Sequence, residues 1–351
     1  MIAPMVSAEE LRKRIDSLPR QRLAVLPTGL QSVPRLAALA GVQELLVKRD
    51  DLTGLALGGN KSRLMEFILG EAVAQGCDVI IAGGGGEQSN HAVQCVAAAN
   101  KVGLDAVIVL QRRPAARSNG NALLHEVLGG KTVWIDSDPD MQDRTSASAS
   151  MHAEAERLRA AGRRPYILES SLHALSVVAY VGATLELYGQ VADTLTTPTR
   201  MYVTSEGAVL GGFLLGSRLL GLPWEVIGLD WRPTQSGIEG RLLKAISAAA
   251  SALGLSNPLA EDDIVIHPTG GPAYGVGSTQ SWKALSAAAR LEGLILDPVY
   301  TAKGVAGMLE DLQERPPEPE ERVVFVHTGG LGAVFAYEAE LRRNVIKPAS
   351  R

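Results

Sequence analysis

The sequence predicts an α/β protein of two domains, each a twisted, mostly parallel sheet flanked by helices. Three observations predict it. Short apolar runs alternate with longer helical patterns. The alternation runs through one series and then restarts. The chain, at 351 residues, is long enough for two ordinary domains, each with a core of its own.

In the first series, DVIIAG (78–83), DAVIVL (105–110), KTVWID (131–136) and RPYILE (164–169) are nearly continuous apolar runs. Strands buried on both faces read this way. Between them SRLMEFILGEAVAQG, NHAVQCVAAANKVG, GNALLHEVLGG and SMHAEAERLRAAG have helical spacing and end in glycine, the expected residue just past a helix C-terminus. A βαβ series of this kind makes a parallel sheet. The second series has strands at MYVTSEG (201–207), EVIGLDW (225–231), DIVIHP (263–268) and RVVFVHTGG (322–330), with GFLLGSRLLGL and GRLLKAISAAASALG as helices. The expected division is a small domain over 64–176 and a large one over 1–63 plus 177–351. The N-terminal sixty residues, with one helix and the run ELLVKRDD, could by themselves join either. ERPPEPEER (314–322) is a charged, proline-rich surface loop.

Composition excludes some functions. A net charge of −4 and 4% aromatic residues offer neither the basic footprint nor the stacking surface that nucleic acid needs. No apolar run approaches the roughly 18 residues of a membrane span. MIAPMVSAEELRKRID lacks the apolar core of a signal peptide. Two cysteines, Cys77 and Cys95, are too few for a disulfide framework and read as buried thiols. A cytoplasmic protein is expected.

Three glycine-rich segments follow strands. IAGGGGEQSNHAVQ (81–94) turns sharply on four glycines, and Ser89 can cap a helix starting near His91. Such a helix start attracts an anion. TSEGAVLGGFLLG (204–216) repeats the pattern, with a phosphate fitting the amides at Gly207, Ala208 and Val209; the plainer reading is a glycine-lined helix–strand contact. FVHTGGLGAVFAY (325–337) places Thr328 at a strand's end. Ligands in such sheets gather beyond the carboxyl ends of strands. The nucleotide motifs fail. The third glycine of a dinucleotide fingerprint is replaced by Gln88, Ser89 or Phe335 in the three possible frames, and in GLALGGNKS (54–62) Asn60 separates Gly59 from Lys61 where a phosphate-binding loop needs them adjacent.

A lysine with an anion cradle and no nucleotide motif suits pyridoxal phosphate, whose aldehyde joins a lysine amine and whose phosphate needs backbone amides. Lys61 stands at a helix start, where a cation is electrostatically unwelcome. A nucleotide-dependent enzyme using the 54–62 loop, or a non-catalytic binding protein, remain the alternatives from the residues alone.

KRDDLTGLALGGNKSRLMEF, QSNHAVQ, DPVYTAKGVAGM and FVHTGGLGAVFAY together resemble the D-cysteine desulfhydrase / 1-aminocyclopropane-1-carboxylate deaminase family, fold-type II pyridoxal-phosphate enzymes of the tryptophan synthase β-like group. The resemblance runs from about residue 20 to 340. It implies pyridoxal 5′-phosphate in the cleft between the domains, a small amino-acid substrate, α,β-elimination to a keto acid and ammonia, and a homodimer. Racemisation or β-replacement share the first deprotonation. It also implies roles. Lys61 matches the lysine that carries the cofactor, and Asn90 the asparagine at its phenolic oxygen. Ser89, His91 and Gln94 match the helix start that holds the substrate carboxylate. Gly207, Ala208 and Val209, continuing to Leu210, match the phosphate loop. Tyr300 and Tyr274 match active-site tyrosines, and Thr328 the residue near the pyridine nitrogen.

The chain also departs from that pattern. Thr301 stands where the deaminases proper have Glu, nearer the desulfhydrases. Val209 replaces a threonine and removes a hydrogen bond worth about 1 kcal/mol. Glu87 and Glu206 occupy loops where small or apolar residues are usual; Glu87 at the pocket would favour a substrate with an added positive group, and a solvated rim is the plainer reading for both.

Overall fold

The computed structural model describes residues 3–346 except 84, 113–117, 137–143, 171, 206, 231–236 and 270. Glu206 and the end of the 225–231 run therefore lie outside the described residues. The strands are β1 (Leu30–Ser32), β2 (Leu45–Lys48), β3 (Val79–Gly83), β4 (Asp105–Arg112), β5 (Lys131–Asp136), β6 (Pro165–Leu168), β7 (Thr199–Val203), β8 (Trp224–Asp230), β9 (Val265–Pro268) and β10 (Arg322–Val326). The helices are α1 (Ala8–Asp16), α2 (Pro34–Ala40), α3 (Lys61–Ala74), α4 (Asn90–Val102), α5 (Asn121–Val127), α6 (Arg144–Ala160), α7 (Ala174–Gln190), α8 (Ala208–Leu219), α9 (Ile238–Ala252), α10 (Thr279–Glu292), α11 (Thr301–Glu314), α12 (Leu331–Val334) and α13 (Glu338–Asn344).

Two sheets form, ordered β5-β4-β3-β6 and β1-β2-β10-β7-β8-β9. Every neighbouring pair is parallel except β1 with β2. The fold class is the expected one. The first series supplies the smaller sheet. The second supplies four strands of the larger, and the N-terminal residues add β1 and β2. β1 is only three residues long and carries no apolar alternation that would announce it.

In the small sheet β3, β4 and β5 run outward and the chain returns to place β6 on the other side of β3. In the large sheet β7, β8 and β9 do the same, and β10 returns beside β7. Each sheet thus reverses direction at one point, and ligands in such sheets bind beyond the strand ends there. The described residues at those ends are 85–89, 204–205, 207 and 327–330.

The largest core cluster packs α3, α7 and α8 against both sheets. Two glycines of the 204–216 segment serve this packing. A Cβ at Gly212 would lie 2.1 Å from the Tyr180 Cβ, and one at Gly216 would lie 2.5 Å from the Thr184 Oγ1, so α8 lies directly on α7. The plainer reading of that segment thus holds in part, as a helix–helix contact. Cys95 is buried, and burial pushes its thiol up to about 12. Cys77 is only partly buried, because it follows the end of α3 rather than facing inward from it. Among the described residues no helix is long and apolar enough to cross a membrane.

Candidate active site

Lys61 is the first residue of α3, one place inside the helix rather than before it. No acidic residue occupies the first turn of α3, the end of a helix that disfavours a cation. The preceding loop is held rigidly. Gly59 has φ +126, and a Cβ there would lie 2.4 Å from the Gln94 Nε2 and 3.2 Å from the Thr328 carbonyl oxygen. The buried Thr53 hydroxyl accepts from the Gly59 N–H and donates to its carbonyl, both at 2.8 Å. Gln94 Nε2 donates to the Gly58 carbonyl at 2.8 Å, and Ser62 Oγ donates to Gln94 Oε1 at 2.9 Å. The Asn60 N–H donates to the Thr328 carbonyl at 2.9 Å. Thr328 therefore does sit against the lysine's loop. Gln94, expected at a substrate carboxylate, is instead 2% exposed and tied at both ends to the loop 58–62.

α4 opens as expected, one residue earlier. Ser89 caps it, accepting from the Ala92 N–H at 3.2 Å; the hydroxyl keeps its own proton to donate. His91 lies close to Lys61: burial first, and then the lysine's charge, hold its ring down to about 3. It is a neutral imidazole, with its Nδ1 buried and without a hydrogen-bond partner among the described residues. Asn90, half-buried, receives at its Oδ1 a hydrogen bond from Asn121 Nδ2 at 2.6 Å. Glu87 is buried to 9% exposure in the same loop, not on a solvated rim.

Tyr300 and Tyr274 meet. The Tyr300 hydroxyl donates to that of Tyr274 at 3.2 Å, with the rings edge-on at 5.8 Å. Asp297, absent from the sequence reading, organises this corner. Its carboxylate accepts from the N–H groups of Val299, Tyr300 and Thr301 at 2.8–3.1 Å. The Asp-Pro opening of DPVYT is a turn signal that could have found it. Thr301 is fully buried, with its hydroxyl on Asp297 Oδ1 at 2.8 Å. Its side chain serves the turn.

Lys303, 1% exposed, donates to the Ala273 carbonyl at 2.6 Å and so ties down the segment bearing Tyr274. Burial lowers its amine to about 8 from an ordinary 10.5, with Asp297 acting the other way. Below pH 8 the amine is charged in both folded and unfolded chains, and the burial penalty is present in full. Between about 8 and 10.5 the folded chain sheds the proton first. Stability from this group therefore rises across that window by roughly 2–3 kcal/mol. Denaturant titrations at pH 7.5 and 10 are expected to show this gain in the wild type and its loss in Lys303→Met; an equal pH response in both would refute the burial.

α8 begins at Ala208 behind Gly207, and no side chain caps it. Val209 and Leu210 are at most 1% exposed. Their side chains belong to the core, so what this loop offers an anion is backbone amides.

The loops bearing Thr328 and Gly207 follow β10 and β7, neighbouring parallel strands, and the loop leading to Lys61 follows β2, on the other flank of β10. All three therefore emerge at the carboxyl ends of neighbouring parallel strands. A doubly wound α/β fold with a helix-opening lysine, an uncapped helix start and a paired-tyrosine wall defines a cofactor enzyme of the amine-binding kind. The chain belongs to the family of pyridoxal-phosphate dependent enzymes, whose model matches residues 21–329. It is 34% identical over 337 residues, 94% of this chain and 98% of the other, to a Pyrococcus abyssi protein provisionally named 1-aminocyclopropane-1-carboxylate deaminase. It is 32% identical over 336 residues, 94% and 99% of the two chains, to the D-cysteine desulfhydrase of Klebsiella pneumoniae. A solved structure described as an ACC deaminase homologue superposes with a TM-score of 0.84 at 29% identity, covering 95% of this chain and 98% of its own.

The residues present fit pyridoxal phosphate. The start of α8 has no side-chain cap, so its first N–H groups, from Ala208 onward, could take a phosphate, whereas the Gly207 N–H expected there donates to the Ser205 hydroxyl at 3.0 Å. Lys61 would supply the amine. Asn90, its oxygen already engaged by Asn121, has its amide N–H₂ to donate.

Proposed function

We propose that this enzyme is a lyase or deaminase that eliminates across the α,β bond of a small amino acid and releases ammonia and a keto acid. The observation that carries the reading is the approach of two loops: the Lys61 loop, locked by Gln94 and Thr53, bonds directly to Thr328. When bound, the cofactor withdraws electrons from the substrate's α-carbon and so stabilises charge left by a departing proton. Lys61 Nζ is the base beside that carbon. The Ser89 hydroxyl proton and the first N–H groups of α4 bind the substrate carboxylate. Neutral His91 adds no charge beside Lys61. The Tyr300 hydroxyl, fixed by Tyr274, handles the second proton at the β-carbon or leaving group. Thr328, uncharged, would not hold the pyridine nitrogen protonated, which favours elimination over transamination.

The same reading takes residues 64–176 as the smaller domain and the rest as the larger, a division supported by sheet membership, and takes the protein as a cytoplasmic homodimer. The buried Glu87 favours a substrate bearing an added positive group. The holoenzyme is to be assayed for keto-acid release on D- and L-amino acids, basic ones included, and on 1-aminocyclopropane-1-carboxylate. Keto acid from at least one is expected. Inversion of configuration with no keto acid from any would overturn the reading in favour of a racemase.

A further inference from the structure

Asn121 stands outside the glycine-rich segments, yet it joins two of them. It opens α5, is 3% exposed, and directs its side chain at the start of α4. One Nδ2 hydrogen goes to the Gln88 carbonyl at 3.0 Å and the other to Asn90 Oδ1 at 2.6 Å. Its backbone N–H donates to Gln88 Oε1 at 3.0 Å, and Gln88 Nε2 donates to the Asn119 carbonyl at 2.9 Å. From the other side the chain beyond Thr328 presses on the same amide: a Cβ at Gly332 would lie 2.1 Å from Asn121 Oδ1.

The orientation follows from chemistry. A backbone carbonyl only accepts, so the Asn121 atom facing Gln88 must be the nitrogen. That nitrogen also faces the Asn90 side chain, which must therefore present its oxygen. Asn90 Nδ2 is left pointing the other way, as a donor. An amide at ordinary rotational freedom would offer either end.

The geometry points to Asn121 as a positioning residue that fixes the Asn90 amide with its N–H₂ toward the cofactor's phenolic oxygen. The inference rests on the proposed role of Asn90. A donor there stabilises the ionised oxygen and lets the neighbouring proton leave more readily. A carbonyl in its place would repel that oxygen and hold the proton.

The test is the pH dependence of the bound cofactor's visible absorption in wild-type, Asn90→Ala and Asn121→Asp holoenzymes, with cofactor affinity from fluorescence titration and thermal unfolding alongside. Aspartate at 121 can only accept, so Asn90 must turn its nitrogen toward it. The absorption midpoint is expected to rise by about one pH unit or more, as loss of a hydrogen bond to a charged group implies, in both variants. If Asn121→Asp does not accumulate, Asn121→Ser, whose donor falls short of Asn90, is expected to move the midpoint the same way. A shift in Asn90→Ala alone would overturn the role of Asn121 and leave that of Asn90 standing. No shift in Asn90→Ala would overturn both. A lower melting temperature with an unmoved midpoint would show a structural role only, and would equally end the proposal.

Discussion

Lys61→Ala is expected to lower keto-acid release by at least about 10³-fold, the scale of a lost base or nucleophile, while the protein stays folded. The side chain is only partly buried at the first position of α3, where alanine is the better helix former and a cation is disfavoured. Stability should therefore hold or rise slightly as activity vanishes, a combination that no structural role of Lys61 would produce. Borohydride treatment of the wild-type holoenzyme, followed by peptide mass analysis, should find the cofactor's mass on the peptide containing position 61 and nowhere else. Retained turnover in the variant, or label at Lys303 instead, would refute the assignment. The buried Lys303 is the informative competitor, because its amine is held against the segment that bears Tyr274.

Arg63→Leu is expected to destabilise the fold by about 3–5 kcal/mol in a denaturant titration. Arg63, 3% exposed, donates to Asp50 at 2.8 and 3.0 Å, to Glu186 at 2.8 and 3.0 Å, and to the Thr28 hydroxyl at 3.0 Å. Tyr180 adds a donor to Asp50 at 2.7 Å, and Lys48 pairs with Glu186 and donates to Gln190 at 2.8 Å. The four ionic groups balance, two positive and two negative. Burial alone would raise both carboxyls, but Arg63 and Lys48 overcome it and hold them below the ordinary range. Leucine at 63 leaves two carboxylates facing one ammonium, with Asp50 fully buried. Asp50 has no other cation within bonding distance among the described residues, so it is the group stranded. A loss under about 1 kcal/mol would show that water enters the site and compensates. Because Arg63 sits two residues after Lys61, the variant should also weaken cofactor binding.

Much of this was legible in the residues. Strands β3 to β10 and helices α3 to α6, α8 and α9 follow from apolar period and terminal glycines, which are local signals set by backbone geometry. The lysine, the Ser89 cap, the two tyrosines and the glycine loop before α8 lie in short contiguous motifs, so spacing and the family resemblance reached them together. The short elements β1, β2 and α2 carry too few periods to register, and the sequence reading also lacks the long helices α7, α10 and α11, of which α7 is buried over most of its length and so shows no polar stripe to mark its period.

The chain by itself determined which chemistry it can hold: an amine at a helix start, backbone amides for an anion, and hydroxyls for proton transfer. Only the tertiary structure decided which polar groups face the cleft and which lock it. Gln94 looks like a ligand in QSNHAVQ and proves to clamp Gly58 and Ser62, more than thirty residues away in sequence. Thr301 turns inward to Asp297, and Asn121 reaches back to Asn90. Amides and hydroxyls bond to whatever is nearest in space, and local sequence carries no record of a partner that folding alone brings near.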